Sequence, residues 1–295
     1  MNGFDISTIS NCYVGGTQAS AIYIGNNKLW PTAHDYSLDY FTIESLEDNN
    51  EIKFYMYSSY APAVTIQWSI NNGTTWNSYT SSTSTNPFTT LNTGDKLIIK
   101  GNNTQYASAD TNNYSNRMLS TKTINMYGNI MSLLYGDNFV GQTILPADYT
   151  FCRLFSAGKM VDTSNLILPA TTITRSCYRS LLDNNSTLIY TPKILPATTL
   201  AQKCYTNMFN KAYNIITSPI LPALTLAQEC YGGLFYYCSK LDNITCLATN
   251  ISASQCTNQW VYNIKPTGTF TKNSSMTSWT RGQYGIPSGW TVVDA

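Results

Sequence analysis

Ile194-Leu-Pro-Ala-Thr-Thr-Leu-Ala-Gln-Lys-Cys-Tyr-Thr-Asn-Met-Phe209 is followed by Ile220-Leu-Pro-Ala-Leu-Thr-Leu-Ala-Gln-Glu-Cys-Tyr-Gly-Gly-Leu-Phe235, the same phrase one period later. Its opening also occurs at Ile144-Leu-Pro-Ala147 and Leu168-Pro-Ala170, and returns in the degenerate Cys246-Leu-Ala-Thr249. The Cys-Tyr step recurs at Cys177-Tyr178, Cys204-Tyr205 and Cys230-Tyr231, with Cys256-Thr257 as its last copy. Four residues beyond each Cys stand Leu181-Leu182, Met208-Phe209, Leu234-Phe235 and Trp260-Val261. The period is about 26 residues, in the range of stacked repeat architectures. Such a stack offers an extended face for binding rather than a closed catalytic pocket.

Within the repeat, apolar residues at 200, 201, 204, 205, 208 and 209 have the spacing of a helix face. Thr198 or Thr199 is the expected cap. A further apolar column, Val161, Leu188, Ile215 and Leu241, is expected on a short strand in each unit. The Pro of each Leu-Pro-Ala then ends that strand, because Pro removes a ladder donor. Each unit thus reads as strand, turn, helix. One unit cannot bury its apolar face alone, but neighbours share a core. The first copy, around Ile144–Phe155, and the last, around Trp260, are irregular, as terminal units facing water should be. Residues 262–295, with Phe270, Trp279 and Trp290, are expected to close the stack.

Two segments precede the repeats. Over residues 1–35, Tyr13-Val-Gly-Gly16 is echoed by Tyr23-Ile-Gly-Asn26, which leads to Lys28-Leu-Trp-Pro31. Each copy reads as a short strand and a Gly turn. Thirty such residues bury too little to fold alone, so this segment is expected to dock on something else. Tyr13, Tyr23, Leu29 and Trp30 are the candidate docking residues. Residues 36–123 read as a small β-sandwich. Ile52, Phe54 and Met56 alternate with polar neighbours, as do Val64, Ile66, Trp68 and Ile70, the pattern of half-buried strands. Asn71-Asn-Gly73 then offers a hairpin turn, with Trp76 and Tyr79 on the return strand. Asn92-Thr-Gly-Asp95 makes another turn before Lys96-Leu-Ile-Ile-Lys100.

Charged residues are only 11% of the chain, against roughly a quarter in an average globular protein. Solubility therefore rests on Asn, Ser and Thr. The net charge is +1 and no basic stripe is visible, which argues against nucleic acid as a partner. No apolar run is long enough to cross a bilayer. The first ten residues have neither a basic start nor an apolar core, so they do not read as a secretory signal. The 8 cysteines form no Cys-x-x-Cys pair, and no metal site is expected. Cys177, Cys204, Cys230 and Cys256 read as a column of small buried residues. A ladder of disulfides is the alternative.

No catalytic constellation is found. The single histidine, His34, lies in Pro31-Thr-Ala-His-Asp35, where it reads as a surface linker residue. Glu44 and Glu47, in the acidic run Asp39 to Glu51, would serve glycoside hydrolysis only if a sugar cleft set them about 5 to 10 Å apart. A solvated strand end is the simpler reading, with calcium as a lesser alternative. No phosphate loop is present, and no cofactor is implied. The 22 tyrosines are the candidate contacts, since Tyr supplies rigid amphipathic area. Tyr190, Tyr213, Tyr236 and Tyr237 are singled out as candidate ligand contacts; core or interface packing is the competing role.

The block from about 125 to 295, on its Leu-Pro-Ala-Thr-Thr-Leu-Ala, Cys-Tyr and Met-Phe phrases, resembles leucine-rich repeats of the BspA-like type. Asn129-Ile-Met-Ser-Leu133, Met276-Thr-Ser-Trp279 and Gly285-Ile-Pro-Ser-Gly-Trp-Thr-Val292 share that resemblance. Ile22-Tyr-Ile-Gly-Asn-Asn-Lys-Leu-Trp-Pro31 is similar to the opening of virion structural proteins of gut Bacteroidales phages, including crAss-like phages. The expected architecture is multidomain and mainly β. It has a short β anchor over 1–35, a β-sandwich over 36–123 and an α/β leucine-rich-repeat-like solenoid over 124–295, capped from about 262. The resemblance implies a non-enzymatic virion protein, expected to be a head fibre. It would be homotrimeric, dock on a capsid or other virion protein through residues 1–35, and offer the repeats to a host glycan or surface protein. A phage tail fibre and a bacterial cell-surface adhesin are the alternatives.

Overall fold

Alternation of apolar and polar residues sets the first long strands, and repetition sets everything after them. The computed structural model describes residues 34–277 and 279–295, together with the backbone of four short strands nearer the start. These are β1 (Tyr13–Val14) and β2 (Thr17–Gln18), an antiparallel pair, and β3 (Ile22–Ile24) and β4 (Asn27–Trp30), another. They belong to a unit of their own, Met1–Asp35, separate from Tyr36–Ala295. The side chains of Tyr13, Tyr23, Leu29 and Trp30, the expected docking residues, lie outside the described residues.

In the second unit, β5 (Phe41–Ser45) and β6 (Asn50–Met56) come first. The inward residues of β6, Ile52 and Phe54, are fully buried. Next come β7 (Thr65–Ser69) and β8 (Asn77–Thr80), a hairpin with Trp68 opposite Asn77. Its turn holds Asn72 and Gly73 at positive φ, which both tolerate. Then follow β9 (Thr89–Leu91), β10 (Lys96–Lys100), β11 (Asn116–Ser120) and β12 (Ile124–Asn129). Strands β11, β6 and β9 form one sheet, and β12, β5, β10, β7 and β8 lie in that order in another. Phe54 of the first lies 6.4 Å from Tyr79 of the second, so the two share a core.

After β12 comes a four-residue helix, α1 (Ser132–Tyr135), and then β13 (Met160–Asp162) and β14 (Leu166–Ile167). Both pair with β12 in parallel, while β12 pairs antiparallel with β5. Residue 124, where the sequence places a domain boundary, thus begins the strand that joins the two halves, and one buried apolar cluster runs from Phe41 to Trp290. Further on, β15 (Thr217–Leu221), β16 (Asn243–Cys246), β17 (Thr269–Lys272) and β18 (Thr291–Asp294) form a parallel sheet in chain order. The expected cap therefore carries two strands of this sheet. Pro222 directly follows β15, where a residue without an N–H ends the ladder. Of the expected strand column, Val161 lies on β13, whereas Leu188, Ile215 and Leu241 are buried just outside strands.

The expected helices are absent from the described structure, which is mainly β. Where the sequence predicts a helix over Thr198–Phe209, the backbone makes successive tight turns from Gln202 onward. Lys203, Asn207 and Lys211 sit at positive φ, a conformation no right-handed helix admits. The N–H groups of Cys204, Thr206, Met208 and Asn210 donate three residues back. Those between them, on Lys203, Tyr205, Asn207, Phe209 and Lys211, donate to the next block, at Gln228, Cys230, Gly232, Leu234 and Tyr236. The same alternation joins Tyr149–Ala157 to Arg175–Asp183, Ser176–Asn184 to Gln202–Asn210, and Glu229–Tyr237 to Ser254–Tyr262. Positive φ recurs at every fourth residue throughout, as at Ser176, Ser180 and Asn184. A turn of four residues puts Cys204, Tyr205, Met208 and Phe209 inward just as a helix would, and all four are buried.

Each inward column stacks on its copies. Ring centroids step from Tyr106 to Phe151 (5.8 Å), Tyr178 (5.9 Å), Tyr205 (5.6 Å), Tyr231 (6.1 Å), Trp260 (6.3 Å) and Trp279 (5.8 Å). Trp260 Nε1 donates to the Gly285 carbonyl and Trp290 Nε1 to that of Lys265, each at 2.8 Å, so indole burial leaves both donors satisfied. The seven described cysteines, Cys152, Cys177, Cys204, Cys230, Cys238, Cys246 and Cys256, are buried and free, not a disulfide ladder; Cys12 lies outside the described residues. Burial pushes the Cys246 thiol up to about 12 and the Cys204 thiol well up, so they pack as small apolar groups.

Two outcomes follow for stability. Gln255 is exposed and held at φ 54°, where a Cβ costs about 1 kcal/mol. Gln255→Gly should raise the unfolding free energy by up to that order, read as a higher urea midpoint, and Gln255→Val should lower it. Cys204→Ala should cost about 1 kcal/mol and Cys204→Ser about 2, since the hydroxyl is buried among apolar groups; equilibrium unfolding of the two variants checks the order.

Candidate functional site

Because the blocks are joined in register, equivalent residues form columns that run across them. The bonds from Ser180 to Thr206, Asn207 to Gly232 and Gly233 to Asn258 align Arg179, Thr206, Gly232 and Asn258 in one outward column. The adjoining column is Ser180, Asn207, Gly233 and Gln259. In both, one block contributes glycine where its neighbours carry side chains. The gap left by Gly232 and Gly233 is the floor of a groove of about 400 Å³. Its walls are Thr206 and Asn207 on one side and Asn258 and Gln259 on the other; Lys203 and Glu229 close one rim, Asn210 and Tyr236 the opposite one, and Arg179 one end.

The charges in and beside the groove balance. Lys203 Nζ lies 3.7 Å from Asp110 and 3.7 Å from Glu229, and Arg179 lies 3.8 Å from the same Asp110. Two cations thus face two anions at separations beyond hydrogen-bond length. Arg179 Nε and Asn210 Oδ1 are buried and have no hydrogen-bond partner, which is uncommon for buried polar atoms. Tyr236 is half-buried and its ring is stacked on Tyr262 at 5.0 Å, with Tyr237 edge-on to Tyr236 at 4.7 Å.

Of the four tyrosines singled out by sequence, Tyr236 lines the groove, and Tyr237 packs against it together with Tyr262. Tyr190 is exposed on the strand side, bridged to Asp162. Tyr213 is exposed after the turn run, where its carbonyl accepts a bond from Ser239 Oγ. The groove's amides and the glycine pair were missed by sequence reading, although Gly232-Gly233 against Thr206-Asn207 was a visible break in the repeat.

The other candidate chemistry is dispersed. His34 is exposed. The Glu47 carboxylate accepts bonds from both N–H and Oγ1 of Thr123, and Asp48 accepts one from the Thr93 N–H. These hydrogen bonds hold both carboxyls below the usual range, and the acidic run ties loops together. Among the described residues, no three His, Cys, Asp or Glu are grouped to hold a metal ion, and no helix is long and apolar enough to cross a membrane. No family model, curated protein or solved structure matches the chain.

One carboxyl beside the groove has an altered affinity for protons. Asp183 shares its column with Asn210 and Tyr236, and burial lifts it to about 6, against the pull of Arg153, Arg117 and Lys211. Its ionised form is disfavoured in the folded chain, so stability declines as pH rises from near its unfolded value of 3.8 through about 6. Between pH 7 and pH 5 the chain should gain on the order of 1–2 kcal/mol, and Asp183→Asn should remove most of that gain. Thermal melts of both chains at the two pH values check it.

Proposed function

We propose that the blocks from Ile144 onward form a leucine-rich-repeat-like solenoid, and that the chain is a non-enzymatic recognition module of a phage virion, a head fibre in type. Residues 1–35 dock on a capsid or other virion protein, and three copies assemble as one fibre. The observation that carries the reading is the block-to-block bonding from Tyr149–Ala157 through Ser254–Tyr262, which leaves the outward columns of the turn run free to vary without disturbing the core. Two further features support it. The groove is lined by the amides of Asn207, Asn210, Asn258 and Gln259 and by Tyr236, groups suited to recognition. The resemblance of Ile22–Pro31 to virion protein openings supplies the site of attachment.

Particles purified from a culture carrying the gene should contain the chain in stoichiometric amount by mass spectrometry, and the isolated full chain should be a trimer by native mass spectrometry. Recovery of the chain from washed bacterial envelopes, and not from particles, would instead establish the bacterial cell-surface reading.

A further inference from the structure

We infer that the groove over Gly232 and Gly233 is a binding site for an uncharged oligosaccharide. The inference deepens the recognition reading above and rests on it. Its first ground is shape. Two adjacent columns lose their side chains in one block only, so the depression is bounded along the stack by Thr206 and Asn207 before it and by Asn258 and Gln259 after it. At about 400 Å³ it is a ligand-sized recess, within the common range of small-molecule sites.

The second ground is the donor and acceptor set. Asn207, Asn210, Asn258 and Gln259 line the recess, and each carboxamide both donates and accepts. A sugar hydroxyl does the same, so amides can meet a row of hydroxyls in either sense. Arg179 Nε and Asn210 Oδ1, one donor and one acceptor, lie buried at this site without partners. Beside them the Tyr236 ring, backed by Tyr262 at 5.0 Å, is a rigid face against which an apolar patch of a pyranose can lie.

Charge decides the class of sugar. Arg179 and Lys203 are offset by Asp110 and Glu229, so the recess has no surplus cation for a sulfate, sialate or phosphate. The same balance disfavours a nucleic acid backbone, which needs a row of unpaired Lys and Arg. A protein partner would be anchored by apolar or aromatic side chains in an apolar pocket, whereas this floor is glycine and its walls are amides.

Gly232 provides the test. A Cβ there would meet Glu229 O at 3.4 Å and Asn258 O and Thr206 Cγ2 at 3.9 Å, which is ordinary contact. Gly232→Asn would give this block the residue its neighbour has at Asn258, filling the recess while sparing the backbone. Gly233 is not suited, because its φ is +60° and a Cβ would run into Asn207 Oδ1. The full chain would be applied to an array of immobilised neutral and acidic oligosaccharides. Binding to a subset of neutral oligosaccharides is expected, weakened at least about tenfold by Gly232→Asn and by Asn258→Ala, with melting temperatures near that of the parent chain. Should Gly232→Asn fail to fold, Asn258→Ala and Gln259→Ala carry the test. Binding only to acidic glycans, no binding, or binding that these variants leave intact would overturn the inference. Attachment of the chain to intact cells separates the two readings. If attachment survives periodate but is lost after protease, recognition stands and the sugar site falls. If the chain attaches to no cells and is absent from particles, the recognition reading falls itself.

Discussion

The constraint on which the structure depends is the division of backbone donors within each turn run. Every second N–H closes a turn three residues back, and in all runs but the last every other N–H is donated to the following block. Neither set suffices alone. The turns place non-glycine residues such as Arg153, Lys203 and Glu229 at positive φ, a conformation that costs roughly 1–2 kcal/mol per residue. That cost is offset because in every run but the last both sets of turn donors are satisfied, and because each apolar pair, such as Tyr205 with Phe209, is sealed by its copies on either side. A single block would hold the strain and expose the pair; a row of blocks removes the exposure. The β-rich N-terminal part of the second unit belongs to the same logic. Tyr106 N–H donates to Thr150 O and Met118 N–H to Leu154 O, so its strands cover the open carbonyl edge of the first block, and Phe151 stacks on Tyr106 rather than meeting water.

Much of this was legible in the residues. The alternation at Ile52 and Phe54, the turns at Asn71–Gly73 and Asn92–Asp95, and the Cys-Tyr and Leu-Phe columns all marked what is buried. The helical reading of Thr198–Phe209 failed for a definite reason. Periods of 3.6 and 4 residues give the same inward positions over ten residues, so the apolar pattern of 204, 205, 208 and 209 cannot separate them. Glycine usually betrays left-handed backbone, but here the positions are filled by Lys, Asn, Ser, Arg, Gln, Glu, Tyr and Ala, and only Gly233 carries the mark. The continuity across 123/124, where the sequence places a boundary, was unreadable for a related reason. The composition changes there, yet β12 pairs on one side with β5 and on the other with β13, and long-range pairing leaves no local signature.

The groove was less legible than the fold. Its floor is an omission, two side chains missing from one copy, and an omission is seen only when the copies have been aligned by their hydrogen bonds rather than by their apolar phrases. The tyrosine cluster was half visible, since Tyr236 and Tyr237 were conspicuous, while Tyr262 lies a block further on and joins them only through the register of Tyr237 N–H on Tyr262 O.

That register bears on why one block carries both the glycine pair and the ring stack. Substitution in the inward columns is limited by packing on both neighbours, whereas the outward columns meet their copies, solvent and a few polar groups such as Asp110. Glycine at 233 relieves the strained φ that Asn207 and Gln259 bear in the adjoining copies, so a gain in local backbone energy accompanies the lost side chain. Glycine at 232 brings no such relief, because that position is not left-handed; its neighbours carry Arg, Thr and Asn, and the freedom of an unfolded glycine weighs against it. Gly233 is therefore explained by the backbone alone. Gly232 is not, and the only consequence of its missing side chain visible in the structure is the recess it opens between Thr206 and Asn258.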